Sequence, residues 1–407
     1  MTRLPLLILL TVTLLGCEPQ PAQQQAQQAP SQQQQPVTQP PLLVTKQAFE
    51  LEHFTTESGV SISPVRVGWE AYGTLNEDKS NVILITHFFS GSSHAAGKYT
   101  PEDAAAGYWD AIIGPGKAID TNTFYVISVD TLANANVFDP NVITTGPATI
   151  NPATGKPYGL SFPVVTIGDF VEVQKALLDS LGIDSLHAVM GASMGSFQAI
   201  EWASRYPERV KRLIPVIGSA YMDAWAAVRL ERWAYPIKTD PNWHNGDYYE
   251  KGQPEQGLIT ALSYIIQDAV HPNGFNLRYP APATDQAPHT DILAPFSAWQ
   301  QLREHAALRA RVQDANHILY LVRASQLFRA GMGDDWQQAL SQIKAKTLFL
   351  PAAGDQLLLP QMSRHSADVM QAQGKNVDYA EIPGDWGHLD GVVGIGAVAE
   401  LITEFLN

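Results

Sequence analysis

The sequence predicts an α/β fold: a mostly parallel central sheet flanked by helices, with a helical lid inserted late in the sheet. Three observations carry this. Five short runs, 81–87, 123–129, 186–190, 210–217 and 347–350, are apolar on both faces, as strands buried inside a parallel sheet are. Helical patterns separate most of them, so successive strands are joined by crossovers that cover the sheet. From about Tyr221 to Gly333 this alternation stops. Trp-, Tyr- and Ala-rich helical spacing replaces it, around a Pro-rich stretch at 273–295, and the sheet pattern resumes at Ile343. An insertion over 221–335 would roof the strand ends.

At the N-terminus, residues 1–16 read as a signal peptide. Arg3 supplies a positive charge, and Leu4–Leu15 is apolar but too short to span a bilayer. The segment runs into Leu14-Leu15-Gly16-Cys17, which resembles the lipobox of bacterial lipoproteins. That resemblance implies cleavage before Cys17 and acyl chains on it, which stable anchoring requires. Glu18, rather than Asp, after the cysteine implies the outer membrane by the same resemblance, on its periplasmic face. Residues 17–44 read as a linker. The Gln, Pro and Ala that dominate 18–41 bury too little surface to fold and suit a tether. The α/β domain is expected over 45–407, starting near Thr45.

Within the domain, 165–181 has helical spacing. Thr166 or Asp169 could cap it, and Gly182 stops it. Next comes the apolar run 188–190, which ends in Gly191-Ala192-Ser193-Met194-Gly195. A second helical pattern follows, with Phe197, Ile200 and Trp202 near one face and Pro207 closing it. Strand, Gly-x-Ser-x-Gly, helix is the context of a nucleophile elbow. Its turn leaves almost no room for a Cβ two residues either side of the serine.

Composition narrows the function. The 407 residues carry a formal charge of −14, which argues against nucleic acid and against a polybasic membrane contact. Cys17 is the sole cysteine, which excludes an intrachain disulfide and a Cys-based metal site. There is no His-Glu-x-x-His, and Gly114-Pro115-Gly116-Lys117 stops short of a phosphate loop. No metal and no cofactor is expected.

A serine hydroxyl needs a base to take its proton, and the base needs an orienting carboxylate. In α/β-hydrolase folds these follow the serine in the order Asp/Glu, then His. After Ser193 the chain offers Asp355, just beyond the run 347–351, and His388, just beyond the alternating run 377–382. Both fall after strands, where ligands gather in open α/β sheets. Asp385 and Asp390 are rival carboxylates. Of the other histidines, His244, His271 and His289 read as surface groups, and His305, His317 and His365 as surface or packed helical residues. An oxyanion hole needs two backbone N–H groups. Met194, directly after the serine, is one candidate, and Phe89, in the loop 87–91, is the other.

Longer stretches carry a resemblance. Tyr72-Gly73-Thr74-Leu75-Asn76, Ser92-Ser93-His94, Gly107-Tyr108-Trp109-Asp110, the run 113–118, the run 151–159, Phe162-Pro163-Val164-Val165-Thr166, the elbow, and Asp314-Ala315-Asn316 together resemble the homoserine O-acetyltransferases, a family of α/β-hydrolase fold. The resemblance puts that family's nucleophile, carboxylate and histidine on Ser193, Asp355 and His388. It fails at the substrate. The family's Asp after the catalytic His, which holds the substrate amino group, is Leu389 here. The Arg that follows a Gly-Leu pair in the lid and holds the carboxylate is missing after Gly257-Leu258. The family's Gly-Gly-Cys loop is Ala133-Asn134-Ala135.

The expected function is serine-dependent acyl transfer through an acyl-enzyme, with a small ester or acyl donor as partner and water or a small alcohol as acceptor. One alternative is a true homoserine O-acetyltransferase of methionine biosynthesis. It would use acetyl-CoA as donor and hold the substrate's charges with Arg229 or Arg232 and Asp390. A second is a non-catalytic surface lipoprotein that keeps the fold for binding. The reading places the protein outside the cytoplasm, held to a membrane through Cys17, and admits a homodimer.

Overall fold

Every residue of Val82–Thr86 and Ala188–Ala192 is buried, because helices cover both faces of the sheet at its centre. The computed structural model describes residues 41–280 and 287–407. They hold an eight-stranded sheet: β1 (Gln47–Leu51), β2 (Val65–Tyr72), β3 (Val82–Thr86), β4 (Tyr125–Val129), β5 (Ala188–Ala192), β6 (Arg212–Val216), β7 (Lys346–Phe349) and β8 (Val377–Tyr379). Their spatial order is β1-β2-β4-β3-β5-β6-β7-β8. All pairs from β4 to β8 are parallel, and β1–β2 and β2–β4 are antiparallel. This is the α/β-hydrolase architecture, a mostly parallel sheet flanked by helices. The runs read from the sequence are β3 to β7, and the alternating run before His388 holds β8.

The antiparallel edge was not legible. β2 carries Glu70, a fully buried carboxylate, so its hydrophobic pattern is broken where the strand is most enclosed. Lys46 pairs with Glu70 at 2.8 Å, and His94 Nδ1 and the Tyr72 and Tyr99 hydroxyls bond the same carboxylate. Residues 42–44, which the sequence assigns to the linker, are tied to the domain. Val44 N donates to Lys98 O, and Lys98 N donates to Leu42 O. The lipobox, Cys17 and the linker up to residue 40 lie outside the described residues.

Helix α1 (Ile167–Ser180) starts on a capping box, with Thr166 as N-cap and Asp169 reaching back to the Thr166 N–H. It packs on α2 (Met194–Arg205) through a buried chain of amides. Gln174 donates to Gln198, Trp202 Nε1 donates to Gln174, and Gln198 donates onward to the His87 carbonyl. That last bond fixes α2 against the loop after β3.

Between β6 and β7 the chain leaves the sheet. The neck of this excursion is zipped by Met222 N to Phe328 O and Ala330 N to Ala220 O. Beyond it lie α3 (Ala224–Thr239), α4 (Glu255–Ala269), α5 (Pro272–Arg278), α6 (Ser297–Ala310) and α7 (Ala315–Gln326). Asp223 and Asp314 cap α3 and α7. Asp314 also accepts a bond from the Tyr248 hydroxyl, which ties the base of α7 to the segment before α4. No helix among the described residues is long and apolar enough to cross a membrane.

Candidate active site

β5 ends at Ala192 and α2 begins at Met194, so Ser193 alone reverses the chain. Its φ of 57° and ψ of −120° lie where a non-glycine residue costs about 1–3 kcal/mol. Hydrogen bonds hold it there. Ser193 N donates to Val216 O at 2.9 Å, and Ser196 Oγ donates to Ser193 O at 2.7 Å. The flanking glycines follow from space. A Cβ on Gly191 would stand 2.0 Å from Thr86 Oγ1, and one on Gly195 would stand 2.0 Å from Thr86 O. Larger residues would push α2 off β3 and move the serine.

The structure brings the three predicted side chains together. Ser193 Oγ lies 2.8 Å from His388 Nε2, and His388 Nδ1 lies 2.7 Å from Asp355 Oδ2. All three are buried. Asp355 sits in the loop after β7. Its second oxygen accepts the Leu357 and Leu358 N–H groups at 2.8 and 3.1 Å, which aims the first at the imidazole. His388 rides a single turn, Gly387–Gly391, beyond β8. With Nδ1–H given to Asp355, Nε2 is left to take the serine proton. The rival carboxylates are engaged elsewhere. Asp385 accepts from Asn273 Nδ2, and Asp390 accepts from Trp386 N, burial holding its carboxyl above the usual range.

Met194 opens α2, and Phe89 lies in the loop after β3. Neither N–H donates to another protein group among the described residues, and both residues border a space at Ser193. That leaves two donors for an oxyanion. Sequence reasoning missed what holds this loop. His87 is fully buried, and burial lowers its pKa, so it is neutral at pH 7. Its Nδ1 donates to Phe88 O, while Nε2 accepts from Thr131 N. Asn134 Nδ2 donates to Gly91 O at 3.0 Å and Asn136 Nδ2 to Ser90 O at 3.0 Å. The only signal in the sequence was that Asn134 stands in a loop departing from the family pattern.

Two spaces meet at Ser193. The larger, about 520 Å³, runs between the loop after β3 and the helical roof, with Phe88, Trp233, Ile266, Leu389 and Val392 on its walls. The smaller, about 20 Å³, is apolar and closed by Phe89, Met194, Phe197, Met222 and Leu230. Arg229 and Arg232, offered above as carboxylate holders, both pair with Asp268, and neither they nor Asp390 line the larger space. His305, read as a surface or packed residue, does line it. Among the described residues no group of three or more His, Cys, Asp or Glu is placed to hold a metal ion.

Comparison with known proteins places this geometry. The profile of the alpha/beta hydrolase fold family matches residues 78–394. A homoserine O-acetyltransferase of Deferribacter desulfuricans is 37% identical over 372 residues, covering 90% of this chain and 96% of its own. Among solved structures, esterase E22 is 56% identical with a TM-score of 0.88, over 90% of this chain and all of that one. A homoserine O-acetyltransferase from Bacillus anthracis is 39% identical with a TM-score of 0.87, over 90% of this chain and 98% of that one. The chain is therefore an enzyme of the acyltransferase and hydrolase kind: it belongs to the α/β-hydrolase family, among the homologues of the homoserine O-acetyltransferases.

Proposed function

We propose that this enzyme hydrolyses small esters of short acyl groups through an acyl-enzyme on Ser193. Ser193 Oγ attacks the ester carbonyl as His388 Nε2 takes its proton, and the Met194 and Phe89 N–H groups receive the oxyanion. The C–O bond to the alcohol breaks, and His388 returns the proton to the leaving oxygen. Water, deprotonated by the same nitrogen, then releases the acid and restores the serine. The small apolar space fits an acyl chain of about two carbons, since room of this size holds little more than one water-sized group. The larger space takes the alcohol.

The observation that carries hydrolysis over homoserine acetylation is Leu389. It lines the cavity beside His388, where the family's amino-group ligand would stand. An ammonium buried against a leucine lacks the partner it needs. The 56% identity to an esterase supports the same reading. Export on a lipid anchor at Cys17 belongs to this proposal and would keep the enzyme from acetyl-CoA. Cys17→Ala should then move the protein from the membrane fraction to the soluble one.

The test is mass spectrometry of Ser193 during turnover of 4-nitrophenyl acetate, octanoate alongside. An acetyl adduct on Ser193, and kcat/KM falling steeply with chain length, is expected. Unchanged turnover in Ser193→Ala would sink the reading. The homology with homoserine O-acetyltransferases keeps a second reading, acetyl transfer from acetyl-CoA to homoserine, and product in that assay would favour it instead.

A further inference from the structure

The roof of the larger space carries positive charge that no carboxylate among the described residues answers. Arg309, at the end of α6, is half-buried on the cavity wall. Its one hydrogen bond among the described residues goes from Nη2 to Ser90 Oγ, a neutral acceptor, at 3.0 Å. Arg278, at the end of α5, stands more exposed on the same wall, bonded at 3.4 Å to the Tyr279 hydroxyl. Neither guanidinium forms an ion pair with a carboxylate among the described residues, although Arg229, Arg232 and Arg205 on other faces all do. His305 lines the same cavity, its Nδ1 hydrogen-bonded with the Tyr279 hydroxyl. Burial, then the charges of Arg278 and Arg309, hold its pKa below the ordinary value. No Asp or Glu lines the cavity among the described residues.

A guanidinium withdrawn from water without a counter-charge is costly, and an anionic ligand would recover that cost. A second charge of opposite sign on the ligand would find no partner. We infer that the alcohol portion of the substrate carries one anionic group, a carboxylate, and no ammonium, and that Arg309, with Arg278 at the rim, receives it. This rests on the reading above, in which the acyl group fills the small space and the alcohol the large one. The substrate class is an acetyl-type ester of a hydroxy acid. In its hydrolysis the bond between acyl carbon and alcohol oxygen breaks, water supplies hydroxyl to the acyl carbon, and His388 protonates the alkoxide.

The experiment compares acetate release from 4-acetoxybutanoate and from the neutral isostere 4-acetoxybutanamide, as a ratio of kcat/KM within each protein. A ratio cancels any loss of folded enzyme. Wild type should prefer the anion by about tenfold or more, a charge-assisted hydrogen bond being worth at least that. In Arg309→Met the ratio should fall to within about twofold of one, whereas Arg309→Lys, which keeps the charge but not the fork, should retain an intermediate ratio. O-acetyl-L-homoserine, the same anion with an ammonium added, should turn over more slowly than 4-acetoxybutanoate. A wild-type ratio near one, a tenfold ratio unchanged in Arg309→Met, or faster turnover of the zwitterion overturns the inference. Release of acetate from neither ester, nor from 4-nitrophenyl acetate, is a different failure: it removes the acyl-transfer reading and this inference with it.

Discussion

The floor of the site and its roof come from different parts of the chain and obey different constraints. The floor is the carboxyl ends of β3, β5, β7 and β8, where a serine, an aspartate and a histidine are each fixed by the strand that precedes them. There Ser193, Asp355 and His388 stand where the resemblance to the homoserine O-acetyltransferases puts them, and Leu389 beside the histidine is the departure. The roof comes from the excursion between β6 and β7. There the family's lid arginine after Gly257-Leu258 is missing, and two arginines with no carboxylate partner among the described residues stand on the wall instead. Reaction type is thus kept by a rigid sheet, while substrate choice is free to drift in helices that rest on it.

The comparison breaks hardest at Asp355. If the floor works as a relay, Asp355→Asn should lower kcat about 10⁴-fold, because it loses the carboxylate that holds His388 in the tautomer the serine needs. KM for 4-nitrophenyl acetate should change little, since the residue does not line the cavity. A loss of less than about tenfold would mean that the buried carboxylate only packs the loop.

Beneath the floor, Glu70 predicts an acid response. Burial pushes its pKa up, but the hydrogen bond from His94 and the charge and hydrogen bond of Lys46 more than offset this, taking it from 4.5 to about 2. The unfolded chain then binds more protons than the folded one between those values. The stability from this site is complete above about pH 4.5 and drains as pH falls toward 2, amounting to roughly 3 kcal/mol. Glu70→Gln should flatten that acid limb in urea titrations at pH 2 to 5. An unchanged slope of stability against pH would show that the cluster is not coupled to folding.

How much of each region was legible follows from the same division. The elbow was readable because local geometry demands it: two glycines, a serine and a strand must be adjacent in sequence. Asp355 stood out from Asp385 and Asp390 by following a strand rather than flanking the histidine. Arg309 and His305 were not readable. They lie on α6, whose polar residues look like a solvated face until the tertiary fold turns them onto the cavity. Asn134 likewise read only as part of a lost glycine loop, and Asn136 gave no signal, because their partners, the carbonyls of Gly91 and Ser90, lie more than forty residues away. The antiparallel edge was hidden by Glu70, whose four partners, Lys46, Tyr72, His94 and Tyr99, the linear pattern does not reveal.

Roof and floor meet at the small space, and a cut in its wall sharpens the comparison. Leu230, on α3, lines that space together with Met194. Leu230→Ala should raise the ratio of kcat/KM for 4-nitrophenyl hexanoate over acetate by about tenfold, in line with about 1–3 kcal/mol for methylene-scale changes in an apolar pocket. If the ratio does not move, acyl groups enter the larger cavity and the assignment of the two spaces is reversed.

The smallest effect lies where floor and loop were altered together. Ala133 has φ of 51°, a left-handed conformation that strains a residue with a Cβ, and the homoserine O-acetyltransferases place glycine at the corresponding loop. Ala133→Gly should therefore stabilise the domain by about 0.5–1 kcal/mol, the relief of strain outweighing the added entropy of the unfolded chain. Thermal unfolding would read this as a rise of about 1 °C. Asn134 should keep its bond to Gly91 O, so kcat/KM should hold. Destabilisation would instead show that the neighbouring contacts of the Ala133 methyl, in a fully buried loop, outweigh its backbone strain, and that the loop has adapted to alanine rather than merely tolerating it.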